Sequence, residues 1–112
     1  MHLRINSIWS PDLRHPSDGL PEDLSHFNLF FQVALSEQGE AGHEVFEFTV
    51  CSPSALSEIE SGRFISNVLV LKTFEWDALH QRVQKLLLHC SSCKNWADVI
   101  EKLSGSLKHT DS

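Results

Sequence analysis

The stretch His89-Cys90-Ser91-Ser92-Cys93 sets two thiols three residues apart, with an imidazole beside the first. Zinc is the first chemistry open to it, with His89 and either Cys51 or His80 joining Cys90 and Cys93. A closed structural zinc site normally draws on two such thiol pairs, and no second Cys-x-x-Cys exists. His89 and Cys90, as helical neighbours, also project about 100° apart. Disulfide exchange is the second. It favours a Cys-x-x-Cys that opens a helix, where the positive dipole end lowers the thiol pKa. Here Cys90 closes a helical pattern, and Cys93 is the better placed of the two. The third reading is a turn between helices, with Cys90 packed on the core as a small hydrophobe and Cys93 near the surface. The flanking sequence favours this one. A small zinc-binding regulatory or accessory domain on the Cys90/Cys93 corner is the alternative, and a thiol oxidoreductase a third class.

Hydrolytic chemistry finds less support. No Gly-x-Ser-x-Gly, no His-Glu-x-x-His and no phosphate-cradling glycine loop occurs. Glu44 and Glu47, three apart on a strand, point to opposite faces and do not pair as acid and base. The sequence therefore predicts a non-enzymatic protein with no metal and no cofactor.

Acidic residues form the larger pattern. Residues 1–62 carry ten acids against two bases (Arg4 and Arg14), net −8, whereas residues 63–112 carry five acids and seven bases, net +2. Direct nucleic-acid binding relies on Lys and Arg to neutralise phosphates, so an acidic front half argues against it and suits a basic protein partner. Asp12, Asp18, Glu22 and Asp23 fall in one loop; Glu37, Glu40, Glu44 and Glu47 fall in and beside a hairpin. These eight are the candidate binding residues. Trp9, Phe27 and Phe30 are candidate apolar anchors, with Phe27 read as core.

The periodicity supplies the elements. Leu3, Ile5, Ser7 and Trp9 alternate in a first strand, interrupted by Ile8. A loop with three Pro and one Gly follows, and then Phe27, Leu29, Phe31, Val33 and Leu35 define one face of a second strand. After a polar loop with two Gly, Phe46, Phe48 and Val50 make a third strand and an antiparallel hairpin. Ser52 and Pro53 open a short helix that Gly62 is expected to close. The apolar run 64–74 reads as a strand covered on both faces. Trp76, Leu79, Val83, Leu86, Leu87 and Cys90 form a helical stripe; Trp96, Val99, Ile100, Leu103 and Leu107 form another, behind an Asn95 cap. The tail from Lys108 is expected to fray. The prediction is an α+β domain over residues 1–112, in the order β-β-β-α-β-α-α. About four strands form a mostly antiparallel sheet, with three helices mainly on one face.

At 112 residues with 41% hydrophobic content, the chain is of single-domain size and can build a core without staples. No apolar run approaches a membrane span, and the N-terminus lacks a signal-peptide pattern. The expected location is the cytoplasm, with no membrane partner. Sheet edges allow a monomer or a homodimer.

Ser10-Pro11-Asp12, the Pro21-Glu22-Asp23 step before Phe27, the run from Gly39 and Glu40 through Glu44, Phe46, Phe48, Val50 and Cys51 to Pro53, and the late Trp96, Ile100 and Lys102-Leu103 recur in order. From about Ile5 to Leu107 the chain resembles the Immunity protein 8 family of bacterial polymorphic toxin systems. That resemblance implies a small, non-enzymatic, cytosolic α+β protein that binds and neutralises a cognate toxin. Many such toxins attack nucleic acid through basic surfaces, which an acidic face would suit.

Overall fold

In a computed structural model, which describes residues 1–13, 19–59 and 61–110, the ten-residue strand Asn28–Glu37 is the centre of the sheet. The first strand, β1 (Leu3–Trp9), pairs antiparallel with this strand, β2, which in turn pairs antiparallel with β3 (Glu44–Cys51). Gly39 and Gly42 in the hairpin loop both adopt positive φ, a backbone state open to glycine without steric cost. The register sets Leu29, Phe31 and Val33 opposite Val50, Phe48 and Phe46, so one face of the pair is continuously apolar and buried.

Two helices cover that face. Leu79, Val83 and Leu87 of α2 (Trp76–Leu88) and Val99 and Leu103 of α3 (Trp96–Leu103) are buried in the same core cluster, as the 3.6-residue spacing predicts. The Asn95 side chain accepts from the Asp98 N–H and caps α3. Aromatic rings fill the end of the core near the start of β2. Phe31 stacks between Phe48 and Phe74, and Trp76 meets Phe31 and Phe74 edge-on at 5.6 Å.

Four expectations change. First, a β-bulge at Asn6 shifts the β1 register between Ile5 and Ser7, so Ile8 turns inward and Trp9 moves to the opposite face, against Gln32. Second, Ser52 caps a single helical turn, α1 (Pro53–Leu56), which ends well before Gly62. Third, the apolar run 64–74 yields only β4 (Val68–Val70), parallel to β3 on an edge, with Phe64, Ile65 and Val70 exposed. Fourth, the tail does not fray at once: Lys108–His109 forms β5, antiparallel to β3.

β4 and β5 therefore share one side of β3. Thr49–Cys51 pairs with β4, and Phe46–Glu47 pairs with β5. Asn67 joins the two halves. Its carbonyl accepts from Thr49 N–H at 2.8 Å, its N–H donates to Gly105 O, and its Nδ2 donates to Ser104 O at 2.9 Å.

Candidate functional site

β1 stops at Trp9, opposite Gln32, yet β2 begins four residues earlier at Asn28. The backbone of Phe30 is left without a strand partner on that side, and the Ser10-Pro11-Asp12 turn supplies one from side chains. The Ser10 hydroxyl donates to Phe30 O and accepts from Asp12 N–H, while the Asp12 carboxylate accepts from Phe30 N–H at 2.7 Å. Ser52 completes the other strand end in the same way. Its N–H donates to Phe27 O, and its hydroxyl accepts from Phe27 and Ala55 N–H groups. Three short polar side chains, Ser10, Asp12 and Ser52, thus close the sheet where a backbone ladder runs out.

The eight acidic candidates do not converge. Asp12, Glu22 and Asp23 lie at the start of β2, Glu37, Glu40 and Glu44 lie at its far end, and Glu47 lies mid-sheet. Asp18 lies outside the described residues. Nine strand steps separate the two groups by about 30 Å, several Debye lengths at physiological salt. Several carboxylates are also engaged. Asp23 accepts from the backbone N–H and hydroxyl of Ser25, and the backbone bond is the main cause holding its pKa below the usual value. Glu44 pairs with His109 at 2.9 Å, and Glu47 pairs with Lys108 at 3.9 Å. Glu22, Glu37 and Glu40 have no ion-pair partner among the described residues.

The face opposite α2 and α3 carries Trp9 and Phe30, two of the three candidate anchors. Side chains bond along it: Trp9 Nε1 to Gln32 Oε1 at 3.0 Å, Arg4 Nε to Ser36 Oγ at 3.0 Å, and Ser36 Oγ to Asn6 Oδ1 at 2.8 Å. At one end the β3–β4 connection lies against this face, and Asn28 and Thr49 join Ile59, Arg63, Phe64, Ile65, Ser66 and Val68 around a cleft of about 330 Å³. Phe64 is fully exposed, and Phe30, the cross-strand neighbour of Thr49, is also exposed. Phe27, by contrast, is core. Trp9 and Phe30 are candidate anchors from the sequence alone, whereas Phe64-Ile65, a hydrophobic pair between Arg63 and Ser66, is expected from it inside a covered strand.

The Cys90–Cys93 corner has another character. Both thiols are buried, Cys93 included, because its turn tucks under the first residues of the chain. The Met1 ammonium donates to the carbonyls of Cys93 at 2.7 Å and Ser91 at 3.1 Å. Burial, reinforced by the neighbouring Cys93, pushes the Cys90 thiol up to about 11. Burial also raises Cys51. His89 lines a cleft beside Arg82, whereas Cys93 lines a separate hollow with Asp98 and Lys102. Among the described residues, no three His, Cys, Asp or Glu side chains are grouped to hold a metal ion. No helix among them is long and apolar enough to cross a membrane.

The family model described as Immunity protein 8 matches residues 3–108, nearly the whole chain. No curated protein and no solved structure matches it.

Proposed function

The chain belongs to the Immunity protein 8 family, and from that membership we propose that it binds and neutralises the toxin of its own system in the cytoplasm, as an inhibitor and not a catalyst. The match over residues 3–108 carries this reading. A nuclease is the toxin class that suits it best, because the net −8 of residues 1–62 complements the basic surface of a nucleic-acid enzyme.

Asp12, Glu22 and Asp23 at one end, and Glu37, Glu40 and Glu44 at the other, act as two steering patches with Glu47 between them. Exposed rim charges raise the encounter rate more than the final affinity. The tight contact falls to the uncovered sheet face. Phe64 and Ile65 in the cleft and Phe30 beside it offer apolar anchors, and the Trp9–Gln32 and Arg4–Ser36–Asn6 bonds hold the rest of this face in one geometry.

The test is co-expression with the toxin encoded beside this gene. Growth rescue and a co-eluting complex are expected. Continued toxicity with no complex on gel filtration refutes the reading.

A further inference from the structure

We propose that the cleft between α2 and the split edge of the sheet is a binding site for a small organic anion with an apolar body, an aromatic or branched carboxylic acid or its phosphate counterpart. The cavity has a volume of about 340 Å³, at the small end of the range for ligand sites. It exists because β4 and β5 flank β3 without meeting side by side, and the Gly105–Ser106 turn spans the gap opposite the helix. Phe48, Leu69, Val83, Leu86 and Leu107 give it apolar walls.

Its charge is of one sign. The cations Arg82 and Lys85 line it beside His89, and no acidic side chain does. Arg82 and Lys85 are the only fully cationic residues of α2. They stand at i and i+3, where like charges oppose helix stability. Neither has an ion-pair partner among the described residues. An ordinary solvated helix face mixes signs; this stripe concentrates cations beside exposed apolar wall in a chain of net charge −6. Ser106, whose hydroxyl makes no hydrogen bond among the described residues, adds a donor to the lining. An anion reaching Arg82 gains charge-assisted hydrogen bonds in a fork geometry, and its apolar body displaces water from the half-buried Leu69 and Leu86.

The site opens on the helical side of the sheet and shares only Val68 of β4 with the cleft on the face assigned to the toxin, and its test uses no toxin. Titration of the full chain with 3-phenylpropionate, with phenyl phosphate and with the neutral 3-phenylpropanamide is followed by amide NMR shifts at low salt. Shifts are expected at Arg82, Leu86, His89, Gly105 and Ser106, with both anions binding about tenfold more tightly than the amide. In the Arg82→Gln/Lys85→Gln variant, whose changed side chains are exposed, the anions should weaken about tenfold to the level of the amide. Equal binding of acid and amide, shifts located elsewhere, no loss in the double variant, or no binding at millimolar ligand each overturns the proposal.

Discussion

Removing the Asp12 carboxylate separates a structural role from a recognition role. The group accepts from the Phe30 N–H at 2.7 Å, in the position a longer β1 would have filled. A hydrogen bond to a charged group contributes roughly 1.5–3 kcal/mol. Asp12 is exposed, so the lower end applies, about 1.5 kcal/mol for Asp12→Ala. At this chain length that corresponds to a fall in Tm of roughly 6 °C. Asp12→Asn retains an acceptor oxygen and loses only the charge assistance, so about half that fall is expected. Thermal melts and urea unfolding of the isolated protein provide the measurement, with no toxin present. If Asp12→Ala melts with the parent protein, or Asn and Ala are equally damaging, the side-chain extension of β1 is not what holds this edge.

Asn67 sits at φ 59° with its side chain on Ser104 O. Asn67→Ala should cost about 2 kcal/mol, because Ala tolerates the left-handed backbone less well than Asn and loses the side-chain hydrogen bond, and Asn67→Gly should cost less. Urea midpoints showing Ala no worse than Gly would remove the backbone argument. Phe64→Ala should leave stability within about 0.5 kcal/mol of the parent, because the ring touches little in the free protein. If Phe64 is an anchor, its toxin Kd should rise about 10- to 100-fold, the equivalent of burying one large side chain; an unchanged Kd excludes it. With the Cys90 pKa at about 11, only about 0.1% is thiolate at pH 8, so iodoacetamide should label it slowly until urea is added. The folded pKa lies above the free-thiol value, so the thiol's contribution to stability is complete below about 8.5 and declines as pH rises toward 11. Cys90→Ala should flatten that alkaline decline in a set of urea curves.

Much of the frame could be read from the chain because its signals are local. Alternation in 27–35 and 46–50 predicts strands with one buried face, and the stripes at Leu79–Leu87 and Val99–Leu103 predict their helical cover. Ser52 and Asn95 announce themselves as caps. What escaped depends on distant partners. Nothing in Lys108-His109 is strand-like, and the pairing follows from α3 delivering it to the vacant lower edge of β3. The bulge at Asn6 reverses the inside and outside of β1 within one residue, which a fixed two-residue period cannot represent. Phe64 and Ile65 are apolar, and apolar residues usually go inside; only the route of the β3–β4 connection leaves them outside. The acidic residues were legible as a count but not as a surface, because β2 carries its two flanking loops to opposite ends of the sheet.

The Cys90–Cys93 corner shows how spacing and geometry part company. Metal binding would require at least three ligands to converge; the two thiols adjoin, but among the described residues no third His, Cys, Asp or Glu joins them. Thiolate chemistry would require a lowered pKa, and burial moves Cys90 in the other direction. The turn has work of a different kind. Cys90 and Cys93 both join the hydrophobic core, and Cys93 N–H donates to Cys90 O at 3.0 Å, which closes the bend within four residues. That bend sets where α3 starts, and α3 ends at Leu103 with Ser104 as its C-cap, directly before the Gly105–Ser106 turn that lines the cleft with Arg82 and His89. A longer or looser junction would move that turn off α2, and with it Asn67's hold on Ser104 and Gly105. The sulfur atoms serve as small apolar pegs in a hinge, and the chemistry of the helical side of this protein resides in the cations that the hinge brings against the sheet.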